Sequence, residues 1–174
     1  MVTELEDGGG DYAVIGGFAL GVLGAPRATA GLDLLVLREN LHAIHALLAG
    51  LGYERSVETE NVSHYQHPDV TWGSVDLLHA FRSHSIAMLR RARRYPVLNG
   101  SAVIRVLEPE DIVGLKVQPI ADDPGRRNQD VADIEALLSI HAPKIDWARL
   151  REYFGLFDLA AELTELEKRY LRAE

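Results

Sequence analysis

The spacing of apolar positions changes several times along the chain, and each change marks an element. Tyr12–Ile15 is a short apolar run broken by Gly16 and Gly17. It reads as a strand that turns into a helix over Phe18–Leu23, and Gly24 and Pro26 end that helix. Leu32–Leu37 is almost continuously apolar, the pattern of a strand buried on both faces. Glu39–Leu51 has a helical period, with Leu41, Ile44, Leu48 and Leu51 on one face and Gly52 as its stop. Tyr53–Thr59, Val62–Gln66 and Val70–Leu78 alternate more clearly and predict a meander toward one edge of a sheet. Ser83–Arg93 predicts a helix. Val97–Leu98 and Ala102–Leu107 flank Asn99-Gly100, a two-residue hairpin signal.

Beyond residue 107 the pattern is helical throughout. Pro109, Glu110 and Asp111 open a helix that carries Ile112, Leu115 and Lys116, and Pro and acidic residues suit a first turn. Asp122–Gln129 reads as a polar loop, Asp130–His141 as an amphipathic helix, and Trp147–Phe154 and Phe157–Arg172 as a helical tail. The expected architecture is α/β (α+β): a mixed sheet flanked by helices over residues 1–107, then a C-terminal helical part over 108–174 packed on it as one structural domain.

Composition narrows the functions open to such a fold. The 174 residues are 47% hydrophobic and 25% charged, enough to form a core. There is no cysteine, which excludes disulfides, thiolate metal sites and a Cys nucleophile. No apolar run is long enough to span a membrane, and the acidic N-terminus lacks the apolar segment of a secretory signal. A cytoplasmic protein without a membrane span is expected. The formal net charge of −8 argues against binding nucleic acid along the whole surface. Arg90, Arg91, Arg93 and Arg94 read as a solvated helix end, and Arg126 and Arg127 as a local basic pair.

Three features carry candidate chemistry. Gly16-Gly17 stands at a strand-to-helix turn, where backbone N–H groups can approach a phosphate. Arg27 and Thr29 lead into the strand that carries Asp33. Asp76 lies between apolar neighbours on the strand Ser74–Leu78, a setting that asks for a partner or a metal. If those strands are neighbours, Asp33 and Asp76 form a hard-oxygen site suited to magnesium. Each feature also has a plain structural reading: a glycine turn, loop residues, carboxylates that cap loops or pair with arginine. His42 and His45, and His64 and His67, have no metal-ligand motif around them and read as surface or structural residues. Neither a nucleophile elbow nor a Walker-type loop is present.

The segment YAVIGGFALGVLGAPRATAGLDLLV resembles the opening of the nucleotidyltransferase superfamily, in particular its small bacterial branch of AbiEii-type toxins and minimal nucleotidyltransferases. That family's pattern is a strand, a Gly-Gly or Gly-Ser turn, a helix, Arg-x-Thr-x-Asp-x-Asp on the second strand, and a third carboxylate on a later one. Gly16 and Gly17 match the turn, Arg27, Thr29 and Asp33 the second motif, and Asp76 the third carboxylate. PEDIVGLKVQPIADDPGRRNQDVADIEALL is similar to the family's C-terminal helices through Lys116, Arg126, Arg127, Asp130 and Asp133. The resemblance covers most of residues 11–140. It implies transfer of a nucleoside monophosphate from a nucleoside triphosphate to a hydroxyl of tRNA, protein or a small molecule. Asp33 and Asp76 would then be catalytic and hold Mg2+, while Gly16, Gly17, Arg27, Thr29, Lys116 and Arg127 would hold the nucleotide.

One residue departs from that pattern. The first carboxylate of Asp-x-Asp is Gly31, so Asp33 and Asp76 are expected to hold one magnesium rather than two. Gly31 reads equally as natural loss or as a change that disarms an enzyme. A rival reading from another class therefore stands beside the enzyme: an inactive binding module on the same fold, such as one component of a toxin–antitoxin pair. Asp130 and Asp133 also suit a helix dipole, and Lys116 can snorkel from its helix.

Overall fold

The computed structural model describes residue 5, residues 11–122 and residues 127–171. Its residues fall into two compact units, one holding those up to Val22 with Pro26–Glu108, the other Leu23–Ala25 with Pro109–Glu174.

The first unit is a seven-stranded mixed sheet with helices, as the apolar pattern implied. Its strands are β1 (Tyr12–Ile15), β2 (Gly31–Leu37), β3 (Glu54–Glu58), β4 (Val62–Gln66), β5 (Ser74–Ala80), β6 (Arg93–Val97) and β7 (Ala102–Val106). Its helices are α1 (Gly16–Val22), α2 (Leu41–Gly50) and α3 (Ser83–Arg91). The strand order is β3-β4-β5-β2-β1-β7-β6. The expected meander is there, with β3, β4 and β5 pairing antiparallel in sequence at one edge. β5 then joins β2 in parallel, and β1 pairs with β2 antiparallel and with β7 in parallel.

Burial along β2 changes partway. Leu34, Leu35 and Val36 are fully enclosed, whereas Gly31, Leu32 and Asp33 are half-buried. Three consecutive enclosed residues mean that both faces are covered there, so polar side chains can stand only at the strand's opening end. β5 enters at the same end with Ser74 and Asp76 half-buried between apolar residues.

Several local readings change. The helix expected over Ser83–Arg93 stops at Arg91, so Arg93 and Arg94 do not belong to a helix end but open β6, where they pair with Val106 and Arg105. Val70–Leu78 is not one strand: Val70–Trp72 forms a 3-10 turn, Gly73 takes φ 69°, and β5 starts only at Ser74. A side chain at Gly73 would fall on the Ala30 carbonyl oxygen, so glycine both allows the turn and lets the two chains close up. The β6–β7 hairpin exists, but Val97 pairs with Ala102, leaving a four-residue connection rather than a two-residue one. Leu98, Asn99 and Gly100 all have positive φ there.

The second unit contains α4 (Pro109–Asp122), α5 (Arg127–His141), α6 (Trp147–Gly155) and α7 (Ala160–Tyr170). The expected polar loop over 122–129 is shorter, because α5 already begins at Arg127; residues 123–126, Arg126 among them, lie outside the described residues. The acidic opening of α4 does more than favour a dipole. Glu110 Oε1 accepts a 2.8 Å hydrogen bond from the Asp146 backbone N–H, and Tyr153 Oη donates to Asp111 Oδ1 at 2.6 Å. Both carboxylates are buried, so these bonds tie α6 to α4. Lys116 Nζ is likewise enclosed, 2.8 Å from Asp130 Oδ1 and 2.6 Å from Asp133 Oδ2. Among the described residues, no helix is long and apolar enough to cross a membrane.

One ammonium faces two buried carboxylates in that trio, and Asp130 Oδ2 has no hydrogen-bond partner among the described residues. Removing the cation leaves two like charges confined together. Lys116→Met is therefore expected to cost about 3–5 kcal/mol, the range for breaking a buried pair. Replacing both carboxylates by amides in the same chain should recover part of that loss. Urea unfolding of the single and triple variants checks both expectations.

Candidate active site

β1 runs into α1 without a connecting loop, and the bend is made at Gly16, where φ is 64°. Ile15 is the register partner of Asp33, so the bend lies beside that aspartate. A Cβ on Gly16 would overlap Asp33 Oδ2 and come within 2.6 Å of its Cγ. The carboxylate thus lies directly across the bare backbone of the turn. Gly17 is matched in the same way to the next segment: a Cβ there would stand 2.7 Å from Thr29 Cβ and 3.2 Å from Arg27 Nη1. Thr29 Oγ1 donates to the Gly31 carbonyl at 3.1 Å, and Arg27 Nη1 to the Ala28 carbonyl at 3.1 Å. Gly16, Gly17, Arg27, Thr29 and Asp33, singled out in sequence, therefore form one patch at the opening end of β2.

The parallel pairing of β2 with β5 sets Asp33 opposite Asp76 and Gly31 opposite Ser74. On the other side of β5, His64 of β4 is the register partner of Asp76. Residues directly opposite one another share a face of the sheet, as do residues two apart on one strand. Gly31, Asp33, Ser74, Asp76 and His64 accordingly face the same way. The adjacency of Asp33 and Asp76, conditional in the sequence, is a fact of the register.

His64 Nδ1 lies 2.7 Å from Asp76 Oδ1, with both side chains about two-fifths exposed. An ionised carboxylate only accepts, so Nδ1 carries the proton of this bond. In sequence, His64 reads as a surface or structural residue. Its place beside Asp76 follows from the β4–β5 register, and the signal available was the adjacency of the runs Val62–Gln66 and Ser74–Leu78 in the meander. Trp72 stands exposed on the β4–β5 connection and stacks on His67 with ring centroids 4.9 Å apart.

Lys116 and Arg127 belong to the helical unit. Lys116 is engaged by Asp130 and Asp133. Arg127 donates to the Ile120 carbonyl at 3.3 Å and lies 3.6 Å from Glu162 Oε1.

The donor set suits a hard cation. Asp33 and Asp76 are carboxylates on adjacent strands, facing one way and partly open to solvent, which suits Mg2+ with water and phosphate oxygens completing its shell. One oxygen of Asp76 is already committed to His64. Among the described residues, no group of three or more His, Cys, Asp or Glu side chains is placed to hold a metal.

Known proteins extend this picture at the level of the fold. No family model matches the sequence, and no curated protein sequence matches it. Solved structures do. The antibiotic-resistance factor ANT(2'')-Ia is similar with a TM-score of 0.67 and 12% identity, over 96% of this chain and 91% of that one. A lincomycin-bound lincosamide antibiotic adenylyltransferase, LnuA, is similar with a TM-score of 0.55 and 15% identity, over 79% and 92%. An antigenic nucleotidyltransferase-like protein from Paracoccidioides brasiliensis follows with a TM-score of 0.56 and 20% identity, over 96% and 88%. The chain has the nucleotidyltransferase fold. Identities this low establish the fold alone.

The glycine turn gives a direct check on the site's geometry. Gly16→Ala forces a left-handed backbone on a non-glycine residue and sets a methyl group against Asp33, with an expected cost of about 1–3 kcal/mol. Gly21→Ala lies in the same helix with open space around it. It should be neutral or stabilise by up to about 1 kcal/mol, from helix propensity. The denaturant midpoint should fall for Gly16→Ala and hold or rise for Gly21→Ala.

Proposed function

We propose that the chain is a magnesium-dependent nucleotidyltransferase that moves a nucleoside monophosphate from a nucleoside triphosphate to the hydroxyl of a small molecule. The observation that carries this reading is the registered pair Asp33–Asp76, set against the Gly16-Gly17 turn with Arg27 and Thr29 beside it. Mg2+ held by Asp33 and Asp76 would neutralise charge on the phosphate oxygens as the bond to pyrophosphate breaks.

The chain's own residues supply the rest. Gly16 and Gly17 leave room for phosphate oxygens to approach the backbone. The Arg27 guanidinium offers paired donors to the triphosphate, and Thr29 fixes the segment that presents it. The acceptor oxygen forms its bond to the α-phosphorus, pyrophosphate leaves with the broken bond's electrons, and the hydroxyl proton passes to the Asp76 carboxylate. His64 holds that carboxylate through Oδ1. Lys116 and Arg127, which the resemblance offers as nucleotide contacts, are engaged by Asp130 and Asp133 and by Glu162, and the proposal does not use them.

Two facts favour a small acceptor over RNA or protein. Net charge −8 opposes binding along a phosphate backbone, and one structural neighbour is an adenylyltransferase of lincosamide antibiotics. Within the fold, the AbiEii-like branch remains part of the proposal and rests on the YAVIGG and PRATAGLD motifs. Gly31 favours a second reading, a module that binds a nucleotide or a partner protein, as in a toxin–antitoxin pair, without turnover.

Incubation with α-labelled nucleoside triphosphates, Mg2+ and a panel of hydroxylated small molecules, bulk RNA and whole-cell protein tests the proposal. Label should move to a small molecule with stoichiometric release of pyrophosphate. Asp33→Asn should lower the rate by about 100-fold or more, as loss of a charge-stabilising group does. Tight binding of the triphosphate with no pyrophosphate release would favour the binding module instead.

A further inference from the structure

Position 31 lacks a side chain, but the space that side chain would fill is not open. A Cβ built on Gly31 would overlap Ser74 Oγ and stand 3.0 Å from the Ser74 carbonyl oxygen. The hydroxyl of β5 thus lies over the bare backbone of β2, on the side to which a residue at 31 would point. Gly31 and Ser74 are register partners, as are Asp33 and Asp76 two residues further along the same strands. These four positions make a rectangle on one face. Three of its corners carry oxygen, at Asp33, Ser74 and Asp76, and the Ser74 oxygen leans over the fourth.

We propose that Ser74 supplies, from the neighbouring strand, the oxygen that Gly31 does not, so that the cation-binding group is Ser74, Asp33 and Asp76. The inference rests on the reading of Asp33 and Asp76 as a magnesium site. A serine hydroxyl is an accepted ligand of a hard cation beside phosphate oxygens. Being neutral, it adds a donor without a third negative charge. Serine and glycine are also sterically linked here: the hydroxyl fits because Gly31 has no Cβ, and a carboxylate at 31 would compete with it for one space. Gly31→Asp is therefore an exchange of one oxygen donor for another rather than the filling of a vacancy.

This competition makes the two positions non-additive, which a double-mutant cycle reads directly. The probe is Mn2+, whose binding is followed by electron paramagnetic resonance with and without a non-hydrolysable nucleoside triphosphate, in wild type, Ser74→Ala, Ser74→Thr, Gly31→Asp, Gly31→Asp/Ser74→Ala and Asp33→Asn. Ser74→Ala should weaken Mn2+ binding about 10-fold, in the range seen when a contact that supports a metal ligand is lost. Ser74→Thr, which keeps the hydroxyl, should stay within about two-fold of wild type. In the Gly31→Asp background the serine-to-alanine change should cost less than about two-fold. Circular dichroism and thermal midpoints establish that each variant is folded, and Ser74→Thr serves as the reference if Ser74→Ala is not.

Equal loss in both backgrounds, or no loss from Ser74→Ala in wild type while Asp33→Asn abolishes binding, overturns the role of Ser74 and leaves the aspartate site standing. Mn2+ binding that survives Asp33→Asn, or no binding by wild type at millimolar metal with the nucleotide present, overturns the aspartate site and this inference with it.

Discussion

The parallel pairing of β2 with β5 is the constraint from which the rest of the site follows. One register, Asp33 against Asp76, decides which residues share a face, where Ser74 stands relative to Gly31, and which histidine meets the carboxylates. A slip of one residue in that ladder would turn every one of these side chains to the opposite face. The register is held by enclosed residues further along the same strands. Leu34, Leu35 and Val36 on β2 and Val75 and Leu77 on β5 are all buried, so a slip that carried Asp33 into the place of Leu34 would bury its carboxylate among apolar residues. Apolar residues with no chemical role thus position the polar ones.

The glycines act on the same end of the sheet through sterics. Gly16 takes a backbone conformation that other residues adopt at a cost, and Asp33 lies across it. Gly73 allows the chain to close on Ala30 just before β5 begins, which delivers Ser74 to its place opposite Gly31. Three bare backbone positions, at 16, 17 and 31, are each covered by a side chain from another segment. An opening that looks like a lost ligand in sequence is, in three dimensions, a place where a neighbour's oxygen fits.

Much of this was legible in the sequence, for identifiable reasons. The almost continuously apolar run Leu32–Leu37 announces a strand covered on both faces, which holds at Leu34–Val36, and Val62–Gln66 has the bounds the alternation implied. Gly16, Gly17, Arg27, Thr29 and Asp33 are legible because they lie close together in the chain and match a motif. What escaped depends on pairing between distant segments. His64 lies twelve residues from Asp76 with a turn between them, and only the register unites them. The single run read over Val70–Leu78 hid Gly73, whose positive φ is set by a close approach to Ala30 that no local pattern encodes. Asp130 and Asp133 suggested a helix dipole in sequence, but their burial with Lys116 is a tertiary matter.

The central claim is that Asp33 and Asp76 share one cation. It is tested most directly by the anomalous signal of Mn2+ in crystals grown with a non-hydrolysable nucleoside triphosphate. One peak is expected, within about 2.2 Å of a carboxylate oxygen of each aspartate, close to the distances of octahedral hard-cation sites. A peak that contacts neither aspartate, or a bound triphosphate with no metal beside these residues, would contradict it.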